Sequence, residues 1–151
     1  MIKSAGGYDW IHMKQIKILG EPVAKGRPRV TRTHTYTPKK TKMAQKRIVE
    51  AINNVLSQDK CWPHELACPV YIEVYFYFSR PKRLMRKKDP EFEILKETKP
   101  DLDNLIKLVK DAINDSGWWA DDKHNTTMFI QKEYVAKGEE PMTIIDLYIQ
   151  Q

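Results

Sequence analysis

The sequence predicts an α+β fold, in which a mixed β-sheet carries helices packed on one face within a single small domain. Three observations predict this class. Two segments repeat apolar residues at the helical period, four segments are strand-like in composition, and the length of 151 residues suits one domain. The predicted order of elements is β, loop, α, β, loop, α, β, β.

Four strands are predicted, at residues 14–19, 70–78, 126–135 and 142–149. Residues 70–78 form an almost continuous apolar run rich in β-branched and aromatic side chains. Such a run is typical of a central strand. The last two strands are joined by a turn in which Gly138 supplies the backbone freedom.

Two helices are predicted, at residues 40–57 and 102–114. The second has one apolar stripe, formed by Leu102, Leu105, Ile106, Val109, Ala112 and Ile113. Gly117 follows it as a stop signal. The first helix carries basic residues in its N-terminal half, where the helix dipole favours acidic ones, and this suggests that an external anion binds there.

The N-terminal segment is polar and glycine-containing, and it precedes a second methionine, Met13. We expect residues 1–12 to be an extension outside the core and residues 13–151 to form the domain. No secretory signal or membrane span of about 20 apolar residues is recognised, so a cytoplasmic protein without a membrane partner is expected. Cys61 and Cys68 are then ordinary reduced thiols, since no second pair completes a zinc site.

Charge is distributed unevenly along the chain. The formal net charge is +6, and residues 14–47 contain eleven Lys or Arg against one acid, Glu21. Residues 101–122, by contrast, contain six aspartates and two lysines. The pattern suggests that one part binds a polyanion such as nucleic acid and another part binds a cation.

The loop between the first strand and the first helix contains four candidate DNA-binding residues, Lys25, Arg27, Arg29 and Arg32. Gly26 and Pro28 are expected to keep this loop extended, so that its cations can line the phosphates of a DNA strand. A solvated basic loop without a ligand is the alternative.

The acidic segment surrounds the start of the second helix. Pro100 disfavours helix at the residue before it, so Asp101 lies at the helix entrance and Asp103 in or near the first turn. Lys107 follows Asp103 at i+4 and shares its helical face. Asp122 comes just past the helix, and a turn that leads back beside the helix entrance would complete a cluster of three carboxylates.

Three aspartates without a nearby His or Cys favour Mg²⁺ or Mn²⁺ over zinc, because hard cations take oxygen ligands. A metal held there can activate water for phosphodiester hydrolysis, and Lys107 can stabilise the charge that develops on the phosphate. The ordinary explanations are a helix cap, a first-turn acid and an i,i+4 ion pair. Asn104 adds slight support to the metal site.

Residues 101–112, D-L-D-N-L-x-K-x-x-x-D-A, and residues 117–122, G-W-W-x-D-D, resemble the signature of the RusA family of Holliday-junction resolvases. Residues 20–29, G-E-P-V-A-K-G-R-P-R, with Y-T-P at residues 36–38, resemble the N-terminal region of phage-type members. The chain order and size also agree with that family's small α+β fold. Trp118 and Trp119 within this signature are expected to pack in the protein rather than against bases.

The resemblance implies roles for individual residues. Asp101, Asp103 and Asp122 correspond to the acidic catalytic metal ligands, Lys107 to the essential lysine, and Asp121 to a possible supporting group. It also implies a homodimer that cuts four-way DNA junctions with Mg²⁺ or Mn²⁺. The N-terminal extension and the loop at residues 80–99 exceed the compact members of the family, so the preferred cleavage sequence does not carry over.

Two rival functions use the same features differently. A DNA-binding or regulatory protein of phage origin needs the basic loop but not the aspartates. A metal-dependent phosphatase or nucleotidyl-transfer enzyme usually carries a glycine-rich phosphate loop, and the sequence shows none. Cutting that depends on a divalent metal separates the endonuclease from a DNA-binding protein.

Overall fold

The computed structural model describes residues 1–59 and 66–151. In this part of the chain the helices are Lys39–Ser57 (α1) and Leu102–Ser116 (α2). The strands are Ile2–Ala5 (β1), Tyr8–Leu19 (β2), Arg29–Val30 (β3), Thr35–Tyr36 (β4), Val70–Phe78 (β5), Ile94–Leu95 (β6), Asn125–Tyr134 (β7) and Met142–Gln150 (β8). The predicted α+β class is confirmed.

Six strands form one mixed sheet in the order β1-β2-β8-β5-β7-β6. The pair β5 and β7 is parallel, and the other pairs are antiparallel. Strand β5 has neighbours on both sides, as the apolar run predicts. One of its faces is 0% to 7% exposed and consists of Val70, Ile72, Val74, Phe76 and Phe78.

Contacts divide the chain into two compact units. The sheet unit comprises Met1–Pro22, Pro69–Lys99 and Asn125–Gln151, and the helical unit comprises Val23–Cys68 and Pro100–His124. Cys68 in the helical unit is a free thiol, whereas Cys61 lies outside the described residues. No helix in the described ranges is long and apolar enough to cross a membrane.

Residues 1–12 are expected from the sequence to lie outside the core, but in the structure they belong to the sheet. Strands β1 and β2 pair as a hairpin, with Gly6 and Gly7 at φ values of 61° and 80° in its turn. Trp10 is 2% exposed, and its ring lies 5.5 Å from that of Tyr71. Burial of one tryptophan removes a large apolar area from water, and the mostly polar composition of the segment does not indicate this.

A buried polar network lies on the face of the sheet that carries Tyr71. Glu73, 4% exposed, accepts hydrogen bonds from Lys3, Tyr71 and Tyr148. Asp146, its cross-strand partner, is paired with His12, whose Nε2 lies 2.8 Å from the carboxylate. Charged groups buried in this way remain stable because their hydrogen bonds are satisfied.

The pKa of Glu73 is lowered from its ordinary value of 4.5. Burial opposes this shift, but the hydrogen bonds from Lys3 and Tyr71 outweigh it. A carboxyl group whose pKa is depressed by folding stabilises the folded state above its unfolded pKa. That stabilisation is lost as the pH falls through the folded value.

In the helical unit, α1 and α2 pack against each other through their apolar faces. Helix α1 buries Thr41, Ala44, Ile48 and Ile52. Helix α2 buries Leu105, Ile106, Leu108, Val109, Ala112 and Ile113, close to the predicted stripe. Gly117 ends α2 at a φ of 70°, a left-handed conformation that favours glycine.

Glu73→Gln is expected to lower the free energy of unfolding by about 1–3 kcal/mol at neutral pH, because a buried network loses its anion. The variant should also lose less stability than the parent as the pH falls below about 4.5. Urea unfolding followed by circular dichroism across this pH range checks both effects. The exposed Glu97→Gln in the same unit is the control, and equal pH profiles for the Glu73 variant and the parent would contradict the linkage.

Candidate active site

The entrance of α2 presents Asp101 in an extended conformation, with φ −75° and ψ 145°. Its carbonyl accepts the first helical hydrogen bond from the N–H of Leu105, at 3.2 Å. Its carboxylate makes no capping hydrogen bond, although Asp is a favoured residue at this position. The ordinary explanation of Asp101 as a helix cap therefore does not hold in this structure, and the carboxylate is exposed.

Asp103 and Lys107 lie one turn apart on the exposed side of α2, opposite its buried stripe. Within residues 1–59 and 66–151 no ion pair within 4.0 Å joins them. The alternative explanation, an i,i+4 ion pair, is thus not formed. A carboxylate and an ammonium on one face are available to an external ligand.

The turn after α2 is held in place by two tryptophans. Trp118 and Trp119 are 1% and 2% exposed, so both pack in the protein as predicted. Leu66 brackets this turn: its N–H donates to the carbonyl of Trp118, and its carbonyl accepts from Ala120. The following aspartates therefore leave a firmly packed segment.

Asp121 and Asp122 differ in their surroundings. The carboxylate of Asp121 accepts the backbone N–H of Lys123 at 2.8 Å, and this hydrogen bond holds the pKa of Asp121 below its ordinary value. Asp121 thereby stabilises the short 3-10 turn Asp122–His124. Asp122 begins that turn with an exposed side chain. Both side chains are thus exposed, and the carboxylate of Asp121 also forms the turn.

The three predicted metal ligands, Asp101, Asp103 and Asp122, lie in the same helical unit. No group of three His, Cys, Asp or Glu side chains in the described ranges lies close enough together to hold a metal ion. The convergence of the three carboxylates therefore stays a prediction. Exposed carboxylates still suit Mg²⁺, which uses one or two of them and completes its shell with water and phosphate oxygens.

The basic loop is attached to α2 through Lys25. Its backbone N–H donates to the carbonyl of Asn104 at 2.9 Å. Its ammonium lies 2.5 Å from the carboxylate of Asp111, two turns after Asp103 on the same helix. Lys25 therefore fixes the loop along the helix that carries Asp103 and Lys107.

Gly26 lets the loop approach α1 closely. Its N–H donates to the hydroxyl of Thr41 at 3.0 Å, and Thr41 is 2% exposed. A Cβ added to Gly26 would lie 2.9 Å from that hydroxyl and 3.1 Å from a carbon of Pro38. The glycine is required here by space, because a side chain would collide with a buried residue.

Beyond Gly26 the loop is not simply extended. Strands β3 and β4 pair Arg29 with Tyr36 and Val30 with Thr35, and they form a two-stranded hairpin. Arg27, Arg29 and the tip residue Arg32 are exposed. The guanidinium groups of the loop thus face solvent, while Lys25 is occupied by Asp111.

Sequence reasoning missed Asp111 and Thr41 as the anchors of the loop. Asp111 is 86 residues from Lys25, and Thr41 is 15 residues from Gly26. The sequence offered one signal, a four-residue spacing of charged residues in α2: Asp103, Lys107 and Asp111. That spacing places all three on one face, where an outside cation can pair with Asp111.

Comparisons with known proteins agree with the predicted resemblance. Residues 20–148 match the RusA family, described as endodeoxyribonuclease RusA, and this range contains the basic loop and the whole segment from Asp101 to Asp122. The chain is also 34% identical over 134 residues to the uncharacterized protein YqaN of Bacillus subtilis (strain 168), with 82% of this chain and 87% of that protein covered. The chain therefore belongs to the RusA family of endodeoxyribonucleases.

Proposed function

We propose that this protein is a Mg²⁺- or Mn²⁺-dependent, structure-selective endonuclease that resolves Holliday junctions in DNA recombination and repair. The observation that carries the proposal is the exposed set of Asp101, Asp103 and Lys107 at the entrance of α2, in which no ion pair forms within residues 1–59 and 66–151. Membership of an endodeoxyribonuclease family supplies the class of reaction.

Asp101, Asp103 and Asp122 would hold the metal ion through their carboxylate oxygens. Uncompensated carboxylates near one another repel DNA phosphates and each other, and a divalent cation removes both penalties. When bound, the ion supplies a Lewis acid for phosphodiester hydrolysis. Asp121 supports this set by forming the turn that starts at Asp122, and Asn104 anchors the basic loop through its carbonyl.

Lys107 is proposed as the group that stabilises the transition state. The attacked phosphate gains negative charge as the new bond forms, and an ammonium placed beside it lowers the barrier more than it strengthens binding. Lys107 is suited to this task because its side chain is exposed and, within the described residues, forms no ion pair with Asp103.

DNA binding is assigned to the basic loop, with Arg27, Arg29 and Arg32 on the phosphates. Guanidinium groups bind phosphate oxygens with two parallel hydrogen bonds, which suits them to positioning a strand. Lys25, expected from the sequence to contact DNA, is proposed to act mainly through its ion pair with Asp111. The ion pair keeps the arginines next to the face of α2 that bears Lys107.

A homodimer is the proposed active species. A four-way junction has approximate two-fold symmetry, and its resolution requires cuts in two strands of like polarity. Two identical subunits related by a two-fold axis provide two identical sites in one complex. Paired cuts at symmetric positions are the product that this arrangement predicts.

Asp103→Asn is expected to abolish cutting of a synthetic four-way junction with Mg²⁺, with at least about a hundredfold loss of rate, while junction binding persists. Removal of an anion from a DNA-facing site lowers repulsion with phosphate, so affinity should not fall. Single-turnover cleavage and a gel-shift assay measure the two effects.

Asp115→Asn is the matched control, because Asp115 is an exposed aspartate of α2 that accepts a hydrogen bond from Gln45. It should cut at the parental rate. A parent protein that binds the junction but never cuts it with Mg²⁺ or Mn²⁺ would favour the rival DNA-binding function. A fully active Asp103→Asn would remove that residue from the metal site.

Lys107→Ala is expected to slow cleavage by orders of magnitude with little change in affinity, because its charge acts in the transition state. Stability should hardly change, since even a formed i,i+4 ion pair contributes only about 0.5 kcal/mol. Lys110→Ala, one turn away in the same helix, controls for the loss of one positive charge. If the two variants cleave at comparable rates, Lys107 has no special role in the transition state and is an ordinary surface lysine.

Replacement of both Arg27 and Arg29 by Ala is expected to flatten the dependence of junction affinity on salt. Each lost phosphate contact reduces the slope of log K against log salt by about 0.9, so the change is about 2 per subunit. Affinities measured without divalent metal over a salt series give this slope. An unchanged slope would move the DNA surface away from the loop.

A further inference from the structure

Lys96 is a buried cation in the sheet unit that the mechanism above does not use. It follows β6 and is 9% exposed, a rare state for lysine unless an anion pairs with it. No carboxylate within 4.0 Å pairs with it in the described ranges. A buried ammonium without an anion costs free energy, so its retention needs an explanation.

Two rings and two hydroxyl groups surround the ammonium of Lys96. The nitrogen lies 5.2 Å from the ring centre of Phe78 and 5.1 Å from that of Tyr134. It donates a hydrogen bond to the hydroxyl of Thr98, and the hydroxyl of Tyr134 lies 3.5 Å away. Cation–π contacts compensate part of the lost hydration but leave the positive charge unneutralised.

Further positive charge gathers at the same place. The ammonium of Lys132 donates to the carbonyl of Thr98 at 2.8 Å. The pKa of Tyr134 is lowered, chiefly by its hydrogen bond with Thr98 and further by the charges of Lys96 and Arg83, although burial acts against the shift. The Tyr134 hydroxyl therefore lies in a positive field.

Thr98 connects this cluster with the surface. Its hydroxyl lies 3.2 Å from that of Tyr134 and accepts from Lys96, while the residue itself is exposed. An anion that reaches Thr98 would meet donors from a threonine, a tyrosine and an ammonium. A phosphate oxygen suits such a group, because it accepts several hydrogen bonds and carries the missing negative charge. Along the chain, two residues, Lys99 and Pro100, lie between Thr98 and Asp101.

We propose that Lys96, Thr98 and Tyr134 form a phosphate subsite, the Lys96 subsite, which binds one backbone phosphate of the DNA substrate. The proposal rests on the proposed function for the identity of the ligand. The basic loop contributes exposed guanidinium groups, whereas this subsite contributes a buried ammonium whose position is fixed by two rings. Such a contact holds a strand in register without reading its sequence.

Lys96→Met tests the subsite, because methionine keeps an apolar side chain between the rings and removes the ammonium, with its charge and its hydrogen bond to Thr98. Junction affinity is measured in EDTA over a salt series, so cleavage does not interfere. The variant should bind about tenfold more weakly at about 0.1 M salt, with a slope smaller by about 0.9 per subunit. Lys17→Met, an exposed position of β2 in the same unit, removes the same charge and should leave the slope unchanged.

Tyr134→Phe keeps the ring that contacts Lys96 and removes the hydroxyl, so it tests the same subsite without loss of a charge. It should weaken junction binding by a few fold, and thermal unfolding by circular dichroism checks that each variant is folded. If Lys96→Met does not fold, Tyr134→Phe decides the question. A folded Lys96→Met with parental slope, or an equal effect of Lys17→Met, would overturn the subsite.

The outcome separates the subsite from the proposed function. A parent that cuts junctions while Lys96→Met and Tyr134→Phe bind normally disproves the subsite and leaves the endonuclease. If the parent binds the junction with a steeper salt slope than Lys96→Met but never cuts it with Mg²⁺ or Mn²⁺, the endonuclease is disproved and the subsite stands.

Discussion

Burial of the apolar stripe of α2 is the constraint that orders the candidate site. Each fully buried Leu, Ile or Val contributes about 1.5–3 kcal/mol, whereas an exposed ion pair on the same helix contributes about 0.5 kcal/mol. The apolar residues therefore decide which face of the helix is turned toward the core. With Leu105, Leu108 and Val109 inside, Asp103 and Lys107 must lie on the outer side.

The same rotation directs Asp111 outward, where it meets Lys25. Asp111, four residues after Lys107 on the same face, pairs instead with Lys25 and holds the basic loop. Gly26 completes this arrangement because only a residue without a side chain fits against the buried Thr41. The loop, α1 and α2 are thus joined by a small set of specific contacts within the helical unit.

The sheet unit buries Glu73 and Lys96 in different surroundings. Glu73 is stabilised by donors from Lys3, Tyr71 and Tyr148, so its negative charge is compensated within the protein. Lys96 has ring faces and hydroxyl groups around it but no carboxylate partner in the described ranges. A compensated charge suits a structural role, and an uncompensated one suits a ligand of opposite sign.

The sequence by itself determined the α+β class and the main helices and strands. Helical periodicity located α1 and α2 to within two residues at each end, and the apolar run located β5, because these signals depend on neighbouring residues. The spacing of Asp101, Asp103 and Lys107 is a local signal of the same kind, and the reactive site that it predicts at the start of α2 stays a prediction. Only the tertiary structure decided that Trp10 joins the core, that Lys25 pairs with Asp111 and that Lys96 is buried. These features depend on contacts between residues distant in the chain, which local propensity does not encode.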